Sequence, residues 1–349
     1  MEPDRYELGF FMKQDMVKQL LNAEFAADFF EQNLPGLNLG RFKLLRCETT
    51  PLKLSKTGGK SVLQFTLLLE HKAGARPVSK TIIGAWRPDR RNERVFLLLQ
   101  KLWQKGFDGK HRNKICEPIA YMGKWNLLLT SKARGVELEQ MLANGHDSFE
   151  SAFARTAKWL ARLHQTKLAE VRRYSVREDQ RALDGWSEHL RRLYQELTER
   201  LHDLVEQILV VEESTTPNDF VLTHGDFHPE NIFVGENEVT ATDFERSLVF
   251  DPAADLGYFI AQVVMKTRRG KYQGSLKKNV GVLRRLFLEE YAKEMGTNAG
   301  ERVPGYEARA YLEILHYIYW GLGVKADPAD FELWLKQAEN CLHSLGANA

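Results

Sequence analysis

The sequence lacks the features of several well-defined protein classes. It has only three cysteines, Cys47, Cys116 and Cys341, which are odd in number and widely spaced. A disulfide framework or a structural zinc site needs cysteines at closer spacing, so a reducing compartment is expected. No apolar run approaches the roughly 20 residues that span a bilayer, and acidic residues follow Met1 where a secretory signal would be apolar. These absences predict a cytoplasmic protein with no membrane segment.

The chain also has little net charge. It contains 49 Lys and Arg against 47 Asp and Glu, a formal net charge of +2. Such a balance gives no electrostatic footprint for nucleic acid, and we expect no nucleic-acid partner. The 349 residues are 43% hydrophobic and 28% charged, which is ordinary for a globular protein of one large or two modest domains.

One short stretch concentrates reactive side chains. It is His224-Gly225-Asp226-Phe227-His228-Pro229-Glu230-Asn231. Apolar runs at 220–222 and 232–234 predict a strand before it and a strand after it. A Gly-Glu-Asn-Glu turn and a returning strand follow, which would deliver Asp243 back beside Asp226 and Asn231.

This arrangement suits phosphoryl transfer from a nucleotide. The reaction needs a carboxylate that accepts the proton of the attacking hydroxyl, and hard oxygen ligands for the metal that neutralises the phosphates. Asp226 is the candidate general base, while Asn231 and Asp243 are candidate ligands of Mg²⁺. His224 is expected to brace the loop backbone. His228 is a second catalytic candidate, which either orients the loop or faces the phosphate.

The stretch 224–231 resembles the catalytic loop of the aminoglycoside phosphotransferase and choline kinase group, small-molecule kinases with a protein-kinase-like fold. Asp243-Phe244-Glu245 stands where that family places its metal-binding Asp, and 251–257 is similar to the segment after it. The resemblance implies an α+β, two-lobed protein-kinase-like fold with a β-rich N-terminal lobe and a mostly helical C-terminal lobe. It also implies Mg²⁺, ATP or GTP as phosphate donor, and a hydroxyl-bearing acceptor such as an aminoglycoside, a sugar, choline or a related amino alcohol.

The patterning predicts three parts along the chain. Residues 1–40 are expected to be a helical extension. Residues 41–131 would form the nucleotide-binding lobe, and residues 132–349 the catalytic and substrate-binding lobe. The boundary falls at the apolar stretch 127–133, which the family resemblance identifies as the hinge that contacts the adenine.

Candidate nucleotide ligands precede the second strand. Gly58 and Gly59 would let backbone N–H groups approach a phosphate, with Lys60 nearby. A solvated hairpin is the alternative, because Lys and Gly are ordinary there. The sequence therefore leaves a nucleotide-covering loop and a plain hairpin both open.

A departure from the kinase pattern lies in the third strand. Kinases of this fold carry a strand Lys that holds the phosphates and pairs with a helix Glu, but the alignment places Ala85 there. Lys80 lies five residues before Ala85 and therefore on the opposite face of a regular strand, so it would fill the role only if the strand contained a bulge. Arg87 is another candidate, or the Lys is missing. Glu93, in the first turn of a predicted helix at 92–105, is either its ion-pair partner or a favourable charge for the helix dipole.

The C-terminal half is predicted to be helical. A leucine stripe at three-to-four spacing predicts one long helical stretch over 178–213 with a buried face. A segment rich in aromatic residues at 306–322 is expected to be core by default, with an aromatic cage for choline as the alternative. His164 is expected to be structural. Asp251 and Asp255 are expected to hold loops by capping and backbone hydrogen bonds, and Asp255 is also placed to cap a helix at Leu256.

Two other functions remain open at this point. His224, Asp226, His228 and Asp243 would be ligands of a catalytic transition metal in a hydrolase. Alternatively, the missing Lys at Ala85 is a feature of a degenerate kinase that binds nucleotide or a partner without phosphoryl transfer.

Overall fold

The structure, a computed structural model, divides into two compact units, and the division falls between Arg134 and Gly135 in the sequence. It describes residues 16–55, 59–74, 76–145, 149–214, 219–270, 276–296, 299–325 and 327–346. Unit 1 covers residues 1–134 and unit 2 covers residues 135–349.

Unit 1 is built on an antiparallel sheet. Its elements are α1 (Ala23–Asn33), β1 (Phe42–Lys53), β2 (Ser61–His71), β3 (Val78–Trp86), α2 (Arg91–Gln104), β4 (Asn113–Ile115), β5 (Pro118–Met122) and β6 (Leu127–Ser131). Five of the strands lie side by side in the order β1-β2-β3-β6-β5. Helix α1 packs against β1, and α2 packs against β5.

The core of unit 1 follows from alternation in β2. Leu63, Phe65, Leu67 and Leu69 are buried, whereas the residues between them are not. A strand points successive side chains to opposite faces, so this pattern buries one face of the sheet. Phe30 of α1 covers that face, with its ring centroid 4.9 Å from that of Phe65. Each such apolar side chain stabilises the fold by about 1.5–3 kcal/mol.

Unit 2 is mostly helical. Its helices are α3 (Leu138–Ala143), α4 (Phe149–His164), α5 (Val176–Leu193), α6 (Thr198–Glu213), α7 (Pro252–Arg268), α8 (Leu276–Met295), α9 (Val303–Leu315) and α10 (Pro328–Gly346). Its short strands are β7 (Val136–Glu137), β8 (Val221–Thr223), β9 (Ile232–Val234), β10 (Val239–Ala241) and β11 (Leu248–Phe250). Strand β9 pairs with β7 and β10, and β8 pairs with β11.

A β-rich first unit and a helical second unit confirm the predicted α+β class. Within the described ranges, no helix combines the length and the apolar composition that crossing a bilayer requires.

The prediction of a single helical stretch over 178–213 is wrong in one respect. It is two helices, α5 and α6, which separate at Tyr194, where the backbone is extended (φ −140°, ψ 78°). The ring of Tyr194 packs 4.2 Å from that of Phe331. Most of the predicted stripe is buried, at Leu183, Leu190, Leu201, Leu204 and Ile208. Trp186 and Leu197 are partly buried, and Leu193, at the end of α5, is exposed.

The aromatic segment at 306–322 lies only partly in the core. Tyr311 and Tyr319 are buried, but Tyr317 is 57% exposed and Trp320 is 39% exposed. The chain continues from α9 as a π-helical segment, His316–Gly321. The wider π turn changes which residues face the core, so the α-helical periodicity assumed from the sequence does not apply there.

Candidate active site

Asp226 and Asn231 lie on the loop between β8 and β9. The loop ends in a short 3₁₀ turn, Pro229–Asn231. Phe227 anchors the loop, because its side chain is fully buried and stacks on Trp159 with the ring centroids 5.7 Å apart. The two polar residues are therefore held on either side of an apolar anchor.

A buried carboxylate fixes the start of this loop. Asp255 accepts hydrogen bonds from the backbone N–H groups of His224 (2.6 Å) and Gly225 (2.8 Å). Its Oδ2 also lies 3.0 Å from Nε2 of His164, and Nδ1 of His164 lies 2.7 Å from the hydroxyl of Tyr291. These partners hold the pKa of Asp255 below its usual value despite burial. His164 is thus structural, as predicted.

Asp255 does not cap a helix, and that prediction is wrong. Helix α7 begins at Pro252, so Asp255 lies in its first turn. The cap is Asp251, which accepts the N–H of Ala253 at 2.9 Å. The broader expectation for the two residues agrees with the structure, because Asp251 caps a helix and Asp255 holds the loop through backbone hydrogen bonds.

His224 braces the loop through both ring nitrogens, as expected. Nε2 lies 2.9 Å from the carbonyl of Thr242, and Nδ1 accepts the N–H of Asp226 at 3.3 Å. Burial lowers the pKa of His224, which favours this neutral state. With both nitrogens engaged, His224 has none to offer a metal. Across the ranges that the structure describes, no group of three or more His, Cys, Asp or Glu side chains is arranged to hold a metal ion.

The amide of Asn231 and the ring of His228 orient one another. Asn231 Nδ2 donates to the carbonyl of Asp226 at 3.0 Å and lies 3.0 Å from Nε2 of His228. Because Nδ2 is a donor, Nε2 must accept, which places the proton of His228 on Nδ1. Burial lowers the pKa of His228 to about 4, in agreement with a neutral ring. The buried Nδ1 has no hydrogen-bond partner among the described residues.

Asp243 follows the hairpin of β9 and β10. The N–H of Thr242 donates to the carbonyl of Asn231 at 2.9 Å, which ties the end of this hairpin to the loop of Asp226 and Asn231. Asp243 itself has a left-handed backbone (φ 64°), a conformation uncommon outside glycine and found at functional sites. Burial is the largest cause of the raised pKa of Asp226, and the charge of Asp243 acts in the same direction.

These residues form a suitable donor set for Mg²⁺. The amide nitrogen of Asn231 is occupied by the two contacts above, which leaves its Oδ1 as the ligand-type atom. Asp243 supplies carboxylate oxygen. Mg²⁺ prefers a few such hard oxygens together with substrate phosphates.

Opposing influences act on the carboxyl of Asp226. Burial is the largest and raises its pKa, and the guanidinium of Arg246 lowers it. Nη1 of Arg246 lies 3.6 Å from Asp226 Oδ1, and Nε2 of His228 lies 3.8 Å from Oδ2. The role of Arg246 was not predicted from the sequence. The one feature that marks this residue in the sequence is its positive charge shortly after Asp243.

The predicted glycine loop lies in unit 1 between β1 and β2. Gly58 falls outside the described residues. The N–H of Gly59 donates to Oγ of Ser55 at 2.6 Å, so in this structure that donor is occupied within the protein. Lys60 directly precedes β2 and is half-buried.

Strand β3 is regular, which decides whether Lys80 can take the place of the Lys that is absent at Ala85. Pairing of β3 with β2 runs without a register shift. Lys80 therefore stays on the opposite face of β3 from Ala85, and the bulge needed to bring it across is not present. This geometry argues against Lys80 as the phosphate ligand. Glu93 lies exposed in the first turn of α2.

Asn92 of α2 links that helix to strand β3. The side-chain amide of Asn92 is buried and donates to the carbonyls of Ala85 and Asn126, both at 2.8 Å. Asn92 was not foreseen from the sequence, because an Asn at the start of a helix is an ordinary polar residue there.

Comparison with known proteins identifies a family. Residues 84–291 match the phosphotransferase enzyme family, APH. No curated protein sequence matches the chain. The solved structures that are similar include a thermostable mutant of aminoglycoside phosphotransferase APH(4)-Ia in ternary complex with ADP and hygromycin B (TM-score 0.57, 10% identity, 91% of this chain and 98% of that one).

Two parasite kinases are also similar. They are an ethanolamine kinase of Plasmodium vivax (TM-score 0.55, 12% identity, 96% of this chain and 93% of that one) and a choline kinase of Cryptosporidium parvum Iowa II (TM-score 0.54, 13% identity, 92% and 94%). At such identities the likeness shows the fold, and the predicted protein-kinase-like fold is confirmed. Since the family match spans more than half of the chain, the protein belongs to the phosphotransferase enzyme family.

Proposed function

We propose that this phosphotransferase moves the γ-phosphoryl group of ATP or GTP to a hydroxyl of a small molecule, with Asp226 as general base. One observation carries the proposal. A continuous set of hydrogen bonds joins the loop of Asp226 to the amide of Asn231 and to the hairpin that ends in Asp243. Two carboxylates and an amide oxygen thereby occupy one small region of unit 2, as phosphoryl transfer requires.

In the proposed step, the acceptor hydroxyl oxygen forms a bond to the γ-phosphorus. The bond from that phosphorus to the β–γ bridging oxygen breaks, and the nucleoside diphosphate leaves. The hydroxyl proton passes to Asp226. The raised pKa of this carboxyl favours proton acceptance, provided that the pH remains above that pKa.

Asn231 and Asp243 are the residues that we propose to hold Mg²⁺. When bound, the metal supplies positive charge that neutralises the nucleotide phosphates. His228 has a positioning role in this account, because its Nε2 fixes the amide of Asn231 with Oδ1 turned away. Its orphan Nδ1–H is a donor that a ligand oxygen or a water would satisfy.

Two observations keep the degenerate kinase as a second candidate. Ala85 stands at the position of the strand Lys, and the N–H of Gly59 is already occupied by Ser55. The metal-dependent hydrolase is not retained, because His224 has both ring nitrogens engaged by the backbone.

The test is a panel of hydroxyl acceptors scored for release of ADP or GDP with Mg²⁺, using wild type and Asp226→Asn. The amide has the shape of the carboxylate but cannot accept the proton. Acceptor-dependent release in wild type and its loss in the variant supports the proposal. Binding of magnesium-nucleotide without transfer to any acceptor favours the degenerate kinase.

A further inference from the structure

Arg246 lies between the candidate base and a second carboxylate. Its Nη1 is 3.6 Å from Oδ1 of Asp226 and 2.5 Å from Oε1 of Glu313. The guanidinium carbon also lies 5.9 Å from the centroid of the Tyr258 ring. An arginine is thus held next to the atom that would receive the acceptor's proton.

Most of the hydrogen-bonding capacity of this arginine is unused. Nη1 makes the closest approach to both carboxylates, whereas neither Nε nor Nη2 donates to any residue that the structure describes. The side chain is 42% exposed. The Nε and Nη2 edge of a guanidinium is a planar fork that matches the two oxygens of a carboxylate or phosphate.

The neighbouring carboxylate of Glu313 lies between two arginines. Oε1 of Glu313 lies against Arg246, and Oε2 lies 3.2 Å from Nη1 of Arg309. Arg309 in turn lies 2.6 Å from Asp179. Glu313 is buried and engaged on both oxygens, so it is poorly placed to receive a cationic group of an acceptor. A cation near the exposed guanidinium would also be repelled.

We propose that the acceptor carries an anionic group, a carboxylate or a phosphate, and that the Nε and Nη2 edge of Arg246 binds it. This inference rests on the proposed function, because it takes Asp226 as the base that receives the hydroxyl proton. A hydroxyl within hydrogen-bond reach of Asp226 and an anion on the fork are roughly 4–7 Å apart, about three to six covalent bonds. Such an acceptor differs from the cationic choline and ethanolamine named for two of the similar kinases.

The experiment compares small hydroxyl compounds whose second functional group is anionic, neutral or cationic. They are 3-hydroxypropanoate (anion), 1,3-propanediol (neutral) and 3-amino-1-propanol (cation), with glycerol 3-phosphate against glycerol as the phosphate arm. For each, kcat/KM for phosphorylation and affinity by ligand-observed NMR are measured on the full chain. The variants are Arg246→Met, Arg246→Lys and the surface control Arg192→Met, whose side chain is 61% exposed.

The expected result is at least a tenfold preference for an anionic probe over its neutral partner. Arg246→Met abolishes that preference mainly through KM, Arg246→Lys retains part of it, and Arg192→Met retains all of it. The proposal is contradicted if wild type prefers the amine or ignores charge. It is also contradicted if Arg246→Met slows all probes equally through kcat, because the arginine then serves the transferred phosphoryl group.

The binding measurement separates this inference from the proposed function. If no probe is phosphorylated but an anionic probe binds, and Arg246→Met removes that binding, the anion subsite stands while the transfer activity loses support. If transfer occurs without any charge preference in rate or in binding, the proposed function stands and the anion subsite is rejected.

Discussion

At the scale of single residues, competing effects set the pKa of the candidate base, Asp226. Burial destabilises the charged carboxylate and raises its pKa, while Arg246 at 3.6 Å stabilises the charge and lowers it. The charge of Asp243 acts in the same direction as burial. Because its pKa is raised, the carboxylate of Asp226 gains proton affinity, which favours its role as a general base.

The pH profile follows from this balance. A base acts when deprotonated, so kcat/KM should fall as the pH drops through the pKa of Asp226. Arg246→Met removes the cation that lowers this pKa, so the acid limb should move to higher pH. An acid limb that stays in place or moves to lower pH in the variant, while Arg192→Met behaves as wild type, would contradict the assignment of the limb to Asp226.

His228 should matter to the metal more than to the chemistry. His228→Ala leaves the amide of Asn231 without the acceptor at 3.0 Å, so its oxygen is less well oriented. Residues that orient metal ligands typically contribute a factor of about 10–100 in metal affinity. We expect a Mg²⁺ titration of activity to shift to higher concentration by a factor in that range, with His202→Ala, an exposed His, as control.

A different pattern would reassign His228. If His228→Ala lowers kcat at saturating Mg²⁺ without moving the Mg²⁺ midpoint, the ring faces the phosphate, which is the other role that the sequence left open.

At the scale of elements, the loop after β8 needs a glycine at one position. Gly225 has φ 79°, and a Cβ there would overlap the carbonyl oxygen of Arg246. Gly270 has φ 74°, but no atom lies within 4 Å of the position that a Cβ would take there. We expect Gly225→Ala to lower the free energy of unfolding by at least about 3 kcal/mol, and Gly270→Ala by only about 1 kcal/mol.

Denaturant unfolding followed by circular dichroism measures both variants. The pair separates backbone strain from steric overlap, because the two glycines share the left-handed conformation. Equal losses in the two variants would mean that the loop shifts to accommodate the methyl group, and that the close approach to Arg246 is not a constraint.

The regular register of β3 gives a prediction for nucleotide binding. Lys80 lies on the other face of the strand from Ala85, so Lys80→Met should change the Kd for magnesium-nucleotide by less than about twofold, since surface substitutions away from a site have small effects. Fluorescence titration with a labelled nucleotide is the measurement. A tenfold weaker Kd would show that Lys80 reaches the phosphates.

Local features of these elements could be predicted from the sequence, and distant contacts could not. The spacing of Asp226 and Asn231 and the strand at 232–234 depend on near neighbours in the chain. The partnership of Arg246 with Glu313, and that of Asp255 with the N–H groups of His224 and Gly225, join residues from separate elements. No local periodicity encodes such contacts.

The same limit explains the aromatic segment. Helical periodicity predicts which face of a helix is buried only while the turn remains α-helical, and His316–Gly321 is π-helical. Tyr317 and Trp320 are therefore exposed where the pattern predicted core.

At the scale of the whole molecule, the chain divides its functional candidates between two units. Unit 1 holds Gly59 and Lys60, which remain predicted nucleotide ligands, and Glu93, which remains a candidate ion-pair partner in the nucleotide site. Unit 2 holds Asp226, Asn231 and Asp243 on a loop and a hairpin joined by hydrogen bonds. The family match from residue 84 to residue 291 includes parts of both units.

The main proposal is that Asp226 accepts the proton during transfer and is not required for the nucleotide to bind. The decisive experiment is a single-turnover reaction with enzyme in excess over γ-labelled nucleotide, Mg²⁺ and an acceptor identified from the panel, paired with the nucleotide Kd. Asp226→Asn should bind nucleotide with a Kd within about threefold of wild type and transfer the label at least about 100-fold more slowly. Transfer at the wild-type rate by Asp226→Asn would contradict the role of Asp226 as the base.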